Sequence, residues 1–417
     1  MNATEMTENL RPYDVVILGA GYAGLIAALR LGRRKWRLRI ALIGPRDQFL
    51  ERVRLQESIV AAVAPRIPSI SAFLTGTTID YIRGNVTSLD ADQRRIRIAT
   101  EVQEREIAFD QAIYALGSNV DMDVVPGAAE HAYRLEPGDG PRSAAALRLR
   151  LQQLEDRPVR VLAVGGGATA IEAAGEIKTA WPGADVTIIS RSRCGDFKGP
   201  RVEKTLRGEL ARLGVRLIDN EVVSEVRPNE VMTETGRSIP YDICVWSGGM
   251  RAAPVAGRAG LATDPQGRIW VDPSLRSISH AHILAVGDAA HPIAPTGAPY
   301  RLSALAAGAS GAHAADVILA KRSKRPLKPF SFSTLAQAVA IGRFGVLFPL
   351  NRDDRQVLFI LKGQTARRFR DFLLLVIIYG FKLERRFPRS FFLPGRRRVS
   401  WAQANDAMQK YQTAQKV

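Results

Sequence analysis

Two glycine-rich turns in this chain have the residue types and spacing that hold a dinucleotide pyrophosphate. The first turn contains Gly19, Gly21 and Gly24, follows the apolar run 13–18 and precedes a helix predicted from 22 to about 31. In a strand–turn–helix unit, the first glycine makes the turn, the second lets the backbone approach the pyrophosphate, and the third lets the helix pack on the strand. Because such turns are common, this first fingerprint is a weak signal by itself.

The second turn repeats the pattern as G-x-G-x-x-A, with Gly165, Gly167 and Ala170. It lies between a predicted strand at 159–164 and a predicted helix at 168–180. Two such units in one chain, each in a β-α-β frame, are far more specific than either alone. They predict an α/β protein that binds two dinucleotides.

The acidic residue that usually binds an adenosine ribose, about 20 positions after the last glycine, is absent from both units. In the first unit Gly44 stands there, and Arg46 and Asp47 follow it. The ribose of the first dinucleotide must therefore be held by backbone groups, by Arg46 or by Asp47.

In the second unit the same position is Ser190, and Arg191 and Arg193 follow it. A carboxylate would bind a ribose diol and repel a 2′-phosphate, whereas serine and arginine supply a hydrogen-bond donor and positive charge. We therefore expect NADPH to be favoured over NADH. The alternative is an exposed basic loop.

Three apolar strands should return the chain to these two sites. The runs 109–118 and 241–249 both end in glycine turns, and the run 283–290 contains Asp288 near its end. A carboxylate at that point can accept hydrogen bonds from a polyol hydroxyl. A helix predicted at 301–319 would offer the partial positive charge of its N-terminus to a developing anion.

The composition indicates a globular protein of two or three domains. The chain has 417 residues and a net charge of +18, with a pI of about 10.4, which favours polyanionic partners or an anionic membrane surface. Cys194 and Cys244 form no CxxC pair, so neither a disulfide framework nor a redox dithiol is predicted. Residues 1–12 do not resemble a signal peptide, and a cytoplasmic location is the default expectation.

The segment after the second strand is predicted to be solvent-facing. Residues 49–54, FLERVR, mix charged and apolar side chains before a helix-like stretch at 55–63. We favour a solvated face over a contact with a cofactor or substrate. Beyond it, 79–89 and 94–98 alternate in strand fashion, which predicts a β-meander.

The chain changes character after the basic linker 321–328. The apolar run 372–381 is too short to span a bilayer, and arginines flank it on both sides. One interpretation is a monotopic membrane anchor, with the arginines on anionic head groups. The other is a helix packed on its own domain or on a dimer partner, and the two carry equal weight. The flanking arginines are Arg367, Arg368, Arg370, Arg385, Arg386, Arg389 and the run 396–398.

The sequences GAGYAG at 19–24 and GGGATAIEAA at 165–174 resemble the FAD- and NAD(P)H-dependent pyridine nucleotide oxidoreductases. The strand ends YALGS and WSGG and the late AVGDAA support the same resemblance. The missing CxxC and the basic, partly apolar C-terminus are most similar to type II NADH dehydrogenases and the related apoptosis-inducing-factor-like quinone reductases. The resemblance covers residues 13 to about 320.

This resemblance implies two Rossmann-like domains, each doubly wound and three-layered, with the second inserted in the first. The FAD-binding domain would comprise 1–125 and 272–325, and the NAD(P)H-binding domain 126–271. The remainder, 326–417, would be an α or α+β extension with a membrane, dimer or substrate role.

The resemblance also implies where each cofactor binds, with Asp288 on the ribityl chain of FAD and Glu172 near the nicotinamide. The residues expected to contact FAD are Gly19, Ala20, Gly21, Tyr22, Ala23, Gly24, Gly44, Arg46, Val86, Ala115, Gly117, Gly287, Asp288 and Arg301. Those expected to contact NADPH or NADH are Gly165, Gly167, Ala168, Ala170, Glu172, Ser190, Arg191, Gly248 and Gly249. No metal site is expected.

The implied reaction is hydride transfer from NAD(P)H to flavin, followed by electron transfer to a quinone or another acceptor. Type II dehydrogenases usually carry an Ala-Gln pair after the GD motif, whereas this chain has RLSAL at 301–305. The acceptor therefore stays open between a quinone, oxygen, a ferredoxin- or rubredoxin-type protein and a small organic molecule. Glu172 and His291 are the candidates for proton handling, and a structural role is favoured for His291.

A hypothesis of another class is a flavin-containing protein that binds nucleic acid or membranes through its positive charge. No nucleic-acid motif is present, so only sequence-independent phosphate contacts are expected, and nucleic acid is a poor candidate partner. A homodimer and peripheral association with the inner face of the membrane through 367–398 are the further expectations.

Overall fold

The computed structural model describes residues 11–33, 37–61, 68–138, 140–154, 158–196, 198–294, 297–334, 336–350, 357–387, 389–391 and 400–414. The predicted features at 1–10, at the end of the helix-like stretch at 63, and at 396–398 lie outside these residues.

The strands are numbered in chain order. They are β1 (Tyr13–Leu18), β2 (Ile40–Gly44), β3 (Ile79–Arg83), β4 (Asn85–Asp90), β5 (Arg95–Ala99), β6 (Glu104–Tyr114), β7 (Ser118–Val120), β8 (Ala132–Arg134), β9 (Arg160–Val164), β10 (Asp185–Ile189), β11 (Arg216–Ile218), β12 (Val223–Val226), β13 (Glu230–Thr233), β14 (Ser238–Pro240), β15 (Ile243–Trp246), β16 (Met250–Ala252), β17 (Ile269–Trp270), β18 (Ile283–Ala285), β19 (Ala290–His291), β20 (Ala336–Ile341), β21 (Phe344–Pro349) and β22 (Leu361–Gly363).

The helices are numbered in the same way. They are α1 (Tyr22–Leu31), α2 (Ile70–Leu74), α3 (Ala128–His131), α4 (Ala144–Gln153), α5 (Ala168–Ala180), α6 (Pro200–Leu213), α7 (Val255–Arg258), α8 (Ala304–Arg322), α9 (Gln364–Arg386) and α10 (Trp401–Ala414), with 3-10 helices at Arg52–Ile59 and Gly287–Ala289.

The first nucleotide unit is built on a sheet in the order β3-β2-β1-β6-β5-β4, with β18 also paired to β6. Strands β3, β2, β1, β18 and the second half of β6 are parallel. Strands β1, β2 and β18 are buried on both faces, which explains their mostly apolar sequences, whereas the edge strand β3 is partly exposed. The first half of β6 pairs antiparallel with β5, and β5 with β4. The predicted meander therefore forms the antiparallel part of this sheet.

The strand predicted at 79–89 is wrong, because the chain breaks at Gly84 into β3 and β4. Strand β3 pairs parallel with β2, whereas β4 pairs antiparallel with β5. A side chain at Gly84 would place its Cβ 2.7 Å from the carbonyl oxygen of Ala99. The glycine thus permits the close approach at which the chain leaves one ladder for the other.

The second nucleotide unit is a fully parallel sheet in the order β11-β10-β9-β15-β8. Its helix α5 has the bounds predicted from the sequence, as does α1 in the first unit. After β11 the chain leaves the parallel sheet, because β12 belongs to an antiparallel sheet with β13 and β14. An antiparallel ribbon of β7 and β16 joins the two units.

The C-terminal extension packs on both units. Strands β20 to β22 form an antiparallel sheet, whose Val339, Ile341 and Phe348 are buried with the core of the second unit. On α9, Ile377 and Phe381 are buried with the core of the first unit. Among the described residues, no helix combines the length and apolarity needed to cross a bilayer. The domain boundaries after 125, 271 and 325 stay predictions.

Candidate functional site

A cavity of about 1140 Å³ runs between the two nucleotide units and the C-terminal extension. Pockets for one drug-sized ligand measure roughly 300–1,000 Å³, so this cavity has room for a dinucleotide and part of a second ligand. Its lining includes most residues predicted to contact FAD, namely Gly19, Ala20, Gly21, Tyr22, Ala23, Gly44, Arg46, Val86, Ala115, Gly117, Gly287 and Asp288. Of the residues predicted for FAD, Gly24 and Arg301 lie outside this lining.

The first glycine turn has the shape that a pyrophosphate requires. Gly19 has a φ of 107°, and a Cβ there would lie 2.3 Å from the carbonyl oxygen of Ala115. A Cβ on Gly21 would meet no protein atom within 4 Å, so this backbone faces open cavity. At Gly24 a Cβ would lie 1.8 Å from the carbonyl oxygen of Gly19, which leaves room for hydrogen alone. The cradle therefore fits the dinucleotide that the fingerprint predicts.

The position of the missing ribose acid is closed by neighbouring side chains. A Cβ on Gly44 would lie 2.7 Å from Cβ of Ala20 and 3.0 Å from the hydroxyl of Tyr81. That hydroxyl lies 3.3 Å from the carbonyl oxygen of Gly44 and 2.5 Å from that of Arg46, to which it donates. Burial raises the pKa of Tyr81 to about 12, so it remains a donor.

Only one of the two side chains predicted to replace this acid faces the cavity. Arg46 is part of the lining. The carboxylate of Asp47 instead accepts hydrogen bonds from the backbone N–H and the hydroxyl of Ser71, at 2.8 and 2.6 Å. Arg46 is therefore the side chain of this pair that can reach the first ribose.

Asp288 is held at the cavity wall by its 3-10 turn. The hydroxyl of Ser118 donates to its carboxylate at 3.2 Å, and the N–H of Gly287 donates to the hydroxyl of Ser310 at 2.9 Å. Burial raises the pKa of Asp288, although the bond from Ser118 opposes this shift. A buried carboxylate with an open side toward the cavity suits hydrogen bonds from ligand hydroxyl groups.

The predicted solvated face at 49–54 is wrong. Phe49 is 4% exposed and packs edge-on against Tyr22 and Phe381, with ring centroids 5.1 Å away in both cases. Arg54 lies between Glu51 and Glu57, so its charge is paired inside the protein. The following 3-10 helix places Arg52, Val53, Leu55 and Gln56 in the cavity lining.

The second fingerprint lies at the carboxyl edge of the second sheet. Gly165 has a φ of 130° and follows β9, and Ala170 is 1% exposed where α5 packs on the sheet. Of the residues predicted for NAD(P)H, Ala168 and Glu172 line the cavity. The others surround the ends of β9, β10 and β15 outside the lining, namely Gly165, Gly167, Ala170, Ser190, Arg191, Gly248 and Gly249.

The three residues after β10 have different environments. Ser190 is 2% exposed and packs against the glycine turn, so that a Cβ on Gly166 would meet its hydroxyl. Arg193 is paired with Glu203, with Nη2 and Oε1 2.6 Å apart. Arg191 is exposed. The charge available for a 2′-phosphate is therefore that of Arg191.

Glu172 is the titratable group that joins the second unit to the C-terminal extension. Its Oε1 accepts a hydrogen bond from the N–H of Ala340 at 2.9 Å and lies 3.5 Å from Nη2 of Arg370. Burial raises the pKa of Glu172 to about 7, and the charge of Arg370 opposes this shift. Arg370 also donates to the carbonyl oxygen of Val53 at 2.8 Å. No pattern in the sequence indicates these partners, because Ala340 and Arg370 lie more than 160 positions away from Glu172.

His291 lies outside the cavity lining. Its Nδ1 is 2.5 Å from the carboxylate of Asp264, which also pairs with Arg268. The imidazole stacks on Trp270 at 4.3 Å between centroids and lies 5.3 Å from the ring of Tyr411. The structure therefore does not bring His291 together with Glu172.

The cavity wall formed by α8 and the C-terminal extension is mostly apolar. Residues before and within the first turn of α8 line it, as do the start of β20 and one side of α9. The apolar run in α9 is visible in the sequence, but none of the residues that form this wall was predicted to do so. These residues are Leu302, Ser303, Ala304, Leu305, Thr334, Ala336, Gln337, Ala338, Val339, Leu373, Leu374 and Ile377.

Comparisons with known proteins give the same result as the fingerprints. The chain is 32% identical over 306 residues to an NADH dehydrogenase-like protein of Mycobacterium tuberculosis, covering 66% of this chain and 72% of that one. It is 23% identical over 408 residues to the type II NADH:quinone oxidoreductase of Haemophilus influenzae, covering 85% and 90%. NDH2 from Plasmodium falciparum in complex with NADH shares the fold, with a TM-score of 0.73 at 15% identity over 92% of this chain and 100% of that one.

The predicted resemblance, the fold class and the cofactor pair are thereby confirmed, and the chain is an FAD-dependent NAD(P)H oxidoreductase. The model of one family, described as pyridine nucleotide-disulphide oxidoreductase, matches residues 13–312. This match covers most of the chain, which therefore belongs to the pyridine nucleotide-disulphide oxidoreductase family.

Proposed function

We propose that this enzyme passes electrons from NAD(P)H through FAD to a quinone, which it takes up at a membrane surface. One observation carries the proposal: α9 is apolar on two opposite sides. Leu373, Leu374 and Ile377 line the cavity. The other side exposes a stripe of large apolar side chains, namely Phe369, Phe372, Leu375, Val376, Tyr379 and Leu383.

The stripe follows helical spacing, with steps of three or four residues. An exposed apolar patch of this kind marks an interaction site with a membrane or another protein. Lys382, Arg385 and Arg386 belong to the last turns of α9, where they could contact anionic head groups. The helix would then separate the lipid surface from the cavity by one layer of side chains.

The residues on the cavity wall support a quinone over a protein acceptor. Leu302 and Leu305 of the RLSAL segment complete an apolar wall with α9. A quinone ring buries its carbon surface there, whereas an iron–sulfur protein would need only the flavin edge at the surface. The relative from Haemophilus influenzae is named as an NADH:quinone oxidoreductase.

Each group of residues would have a distinct task in this reaction. Bound FAD would accept two electrons from the nicotinamide and pass them to the acceptor. The turn at Gly19 would hold its pyrophosphate, and Asp288 would bind its polyol hydroxyls. Glu172, with a pKa near neutrality, can hold or release a proton at the second-unit end of the cavity.

The acceptor is tested by anaerobic reduction of the flavin with NAD(P)H, followed by mixing with one acceptor at a time. We expect a soluble short-chain quinone to reoxidise the flavin at least tenfold faster than air-saturated buffer or a ferredoxin. Faster reoxidation by oxygen or by ferredoxin would contradict the quinone proposal.

The membrane contact is tested by sedimentation with vesicles that contain about 30% anionic lipid. The double variant Phe372→Ser/Val376→Ser should lose most of its vesicle binding while it keeps quinone reduction in solution. Val102→Ser is the matched control, because Val102 is 92% exposed but lies in the first unit away from α9. Unchanged binding of the double variant would exclude the stripe as the membrane contact.

A further inference from the structure

The carboxyl group of Glu172 is held by one of its two oxygens. Oε1 accepts the hydrogen bond from the backbone of Ala340 and faces the guanidinium group of Arg370. Oε2 has no hydrogen-bond partner among the described residues, yet it does not belong to the fully buried atoms that lack one. The side chain is 13% exposed and is part of the cavity lining. Oε2 is therefore the oxygen that a ligand in the cavity can meet.

The guanidinium group of Arg370 is itself fixed by three further contacts. Its Nη2 donates to the carbonyl oxygen of Val53 at 2.8 Å. Its Nη1 lies 3.4 Å from Oε1 of Glu57 and 3.2 Å from Oδ1 of Asp371. The side chain is 6% exposed and lines the cavity beside Glu172. Because a planar guanidinium group bound at both ends cannot turn freely, it can orient the carboxyl group next to it.

The charged groups around Glu172 come from three elements and have opposing effects. On α9, Arg370 and, less strongly, Arg367 favour the ionised carboxylate, whereas Glu176 of α5 favours the protonated form. Glu57 of the 3-10 helix takes part through its ion pairs with both arginines. Strand β20 contributes a backbone N–H. Of the charges, that of Arg370 has the largest effect on whether Glu172 holds its proton.

The proposed reaction needs a group in the cavity that both binds and releases a proton. NAD(P)H supplies a hydride, which is two electrons and one proton, whereas reduction of a quinone to a quinol takes up two electrons and two protons. The protein therefore supplies the second proton and takes a replacement from solvent. A carboxyl group does this well when its pKa is close to the working pH. Burial without a positive neighbour would instead keep Glu172 protonated.

We propose that Arg370 is a positioning residue for this proton transfer. It holds Oε1 of Glu172 so that Oε2 is presented to the cavity, and its charge allows the carboxyl group to release its proton there. Control of the proton thereby comes from α9, the helix that also carries the exposed apolar stripe. This assignment rests on the proton-handling role of Glu172 in the proposed function, and its test observes the carboxyl group itself rather than turnover of the acceptor.

The test is an infrared titration of the FAD-loaded enzyme, in which the band of a protonated carboxyl group is followed as the pH rises. The band of Glu172 is identified by its absence from Glu172→Gln. For Arg370→Gln we expect the midpoint to rise by about one pH unit or more, because a nearby opposite charge lowers the pKa of a carboxyl group by roughly 1–3. Arg370→Lys keeps the charge and should bring the midpoint back toward the wild-type value. Arg370→Met is the second variant if Arg370→Gln does not retain FAD.

Arg367→Gln is the matched control, since it removes the same charge from α9 but from a side chain that pairs with Glu176 and Glu57 rather than with Glu172. Its midpoint should rise by less than half as much. An equal rise in both variants, or an unchanged midpoint in Arg370→Gln, would overturn the assignment, because a merely structural arginine does not move this titration. A wild-type band that does not titrate would refute the proton-handling role of Glu172, whereas a titrating band with slow reoxidation by quinones would refute the proposed acceptor alone.

Discussion

The two nucleotide units carry opposite charges at equivalent positions, and one C-terminal helix pairs with both. Arg30 lies eleven positions after Gly19, and Glu176 lies eleven positions after Gly165. Nε of Arg30 is 2.7 Å from Oε1 of Glu384, whereas Oε1 of Glu176 is 2.9 Å from Nη1 of Arg367. Both partners belong to α9. The helix therefore fits across α1 and α5 in one direction only, because the reverse direction would bury like charges together.

The units also differ in how closely their helices meet their strands. The third fingerprint residue is Gly24 in the first unit and Ala170 in the second. A third difference is functional: Ile26 and Glu172 both lie seven positions after the first glycine of their units. Ile26 is fully buried in the core, whereas Glu172 lines the cavity. The same backbone thus packs tightly in the first unit and carries a titratable group in the second.

The largest effect is expected from exchanging the third fingerprint residue. Gly24→Ala would place a Cβ 1.8 Å from a backbone oxygen, which no side-chain rotation can relieve. We expect a cost at or above the top of the ~1–3 kcal/mol range for overpacking, with loss of bound FAD. The reciprocal change, Ala170→Gly, should cost about 1 kcal/mol and retain FAD. Flavin absorbance per protein and urea unfolding measure both, and FAD retention by Gly24→Ala would contradict the comparison.

The second prediction compares the stability contributed by the two ion pairs that α9 forms, Arg30–Glu384 and Glu176–Arg367. Glu384→Gln leaves the buried Arg30 without its bidentate partner, although Asp316 remains 2.9 Å away. We expect a loss of about 3 kcal/mol in the free energy of unfolding. Glu176→Gln should cost less, about 1 kcal/mol, because Arg367 is partly exposed and keeps Glu57 at 3.2 Å. Equal losses in urea unfolding would refute this difference between the units.

The third prediction concerns the pH dependence of stability that Glu172 causes, since the first unit has Ile26 at the equivalent position. Burial raises the pKa of Glu172 from 4.5 to about 7, so the folded state holds a proton that the unfolded chain has released. The contribution of Glu172 to stability is therefore present below about pH 4.5 and is lost as the pH rises through about 7. Glu172→Gln should remove this dependence, which amounts to about 3 kcal/mol at most.

Urea unfolding at pH 5 and pH 8 measures this effect as the difference between wild type and variant. Glu57→Gln is the contrasting control. Burial raises the pKa of Glu57, but Arg54, Arg367 and Arg370 outweigh this effect, and the pKa is lowered. The contribution of Glu57 is thus lost as the pH falls, which is the opposite sign. Parallel pH profiles for wild type and Glu172→Gln would show that Glu172 is ionised in the folded state throughout.

The sequence predicted what depends on near neighbours in the chain. The bounds of α1 and α5, the two fingerprints and the return of Asp288 to the cavity follow from periodicity and glycine spacing over short stretches. The prediction for 49–54 was wrong because α9, more than 300 positions later, covers this segment: Phe381 packs on Phe49, and Arg370 donates to the carbonyl oxygen of Val53. In isolation, a run such as FLERVR has the pattern of a solvated face.

The same reason explains why the sequence did not identify Arg370 or the residues of β20 that line the cavity. A single glutamine or arginine in a strand or helix has no pattern of its own, and its function depends on which cavity its element borders. That placement follows from the packing of β20 to β22 on the second unit and of α9 across both. The apolar run in α9 was visible, but its two opposite apolar sides were not, because burial by a distant domain decides which side is covered.

The smallest effect is expected at Arg191, where the second unit could distinguish NADPH from NADH. Arg191 is exposed, while the neighbouring Arg193 is held by Glu203 at 2.6 Å. Arg191→Glu places a negative charge where a 2′-phosphate would lie, so we expect the ratio of kcat/KM for NADPH over NADH to fall about tenfold. Arg193→Gln should leave the ratio within about twofold, because its charge is already neutralised. An unaltered ratio in Arg191→Glu would show that Ser190 and the backbone, rather than the exposed arginine, distinguish the two donors.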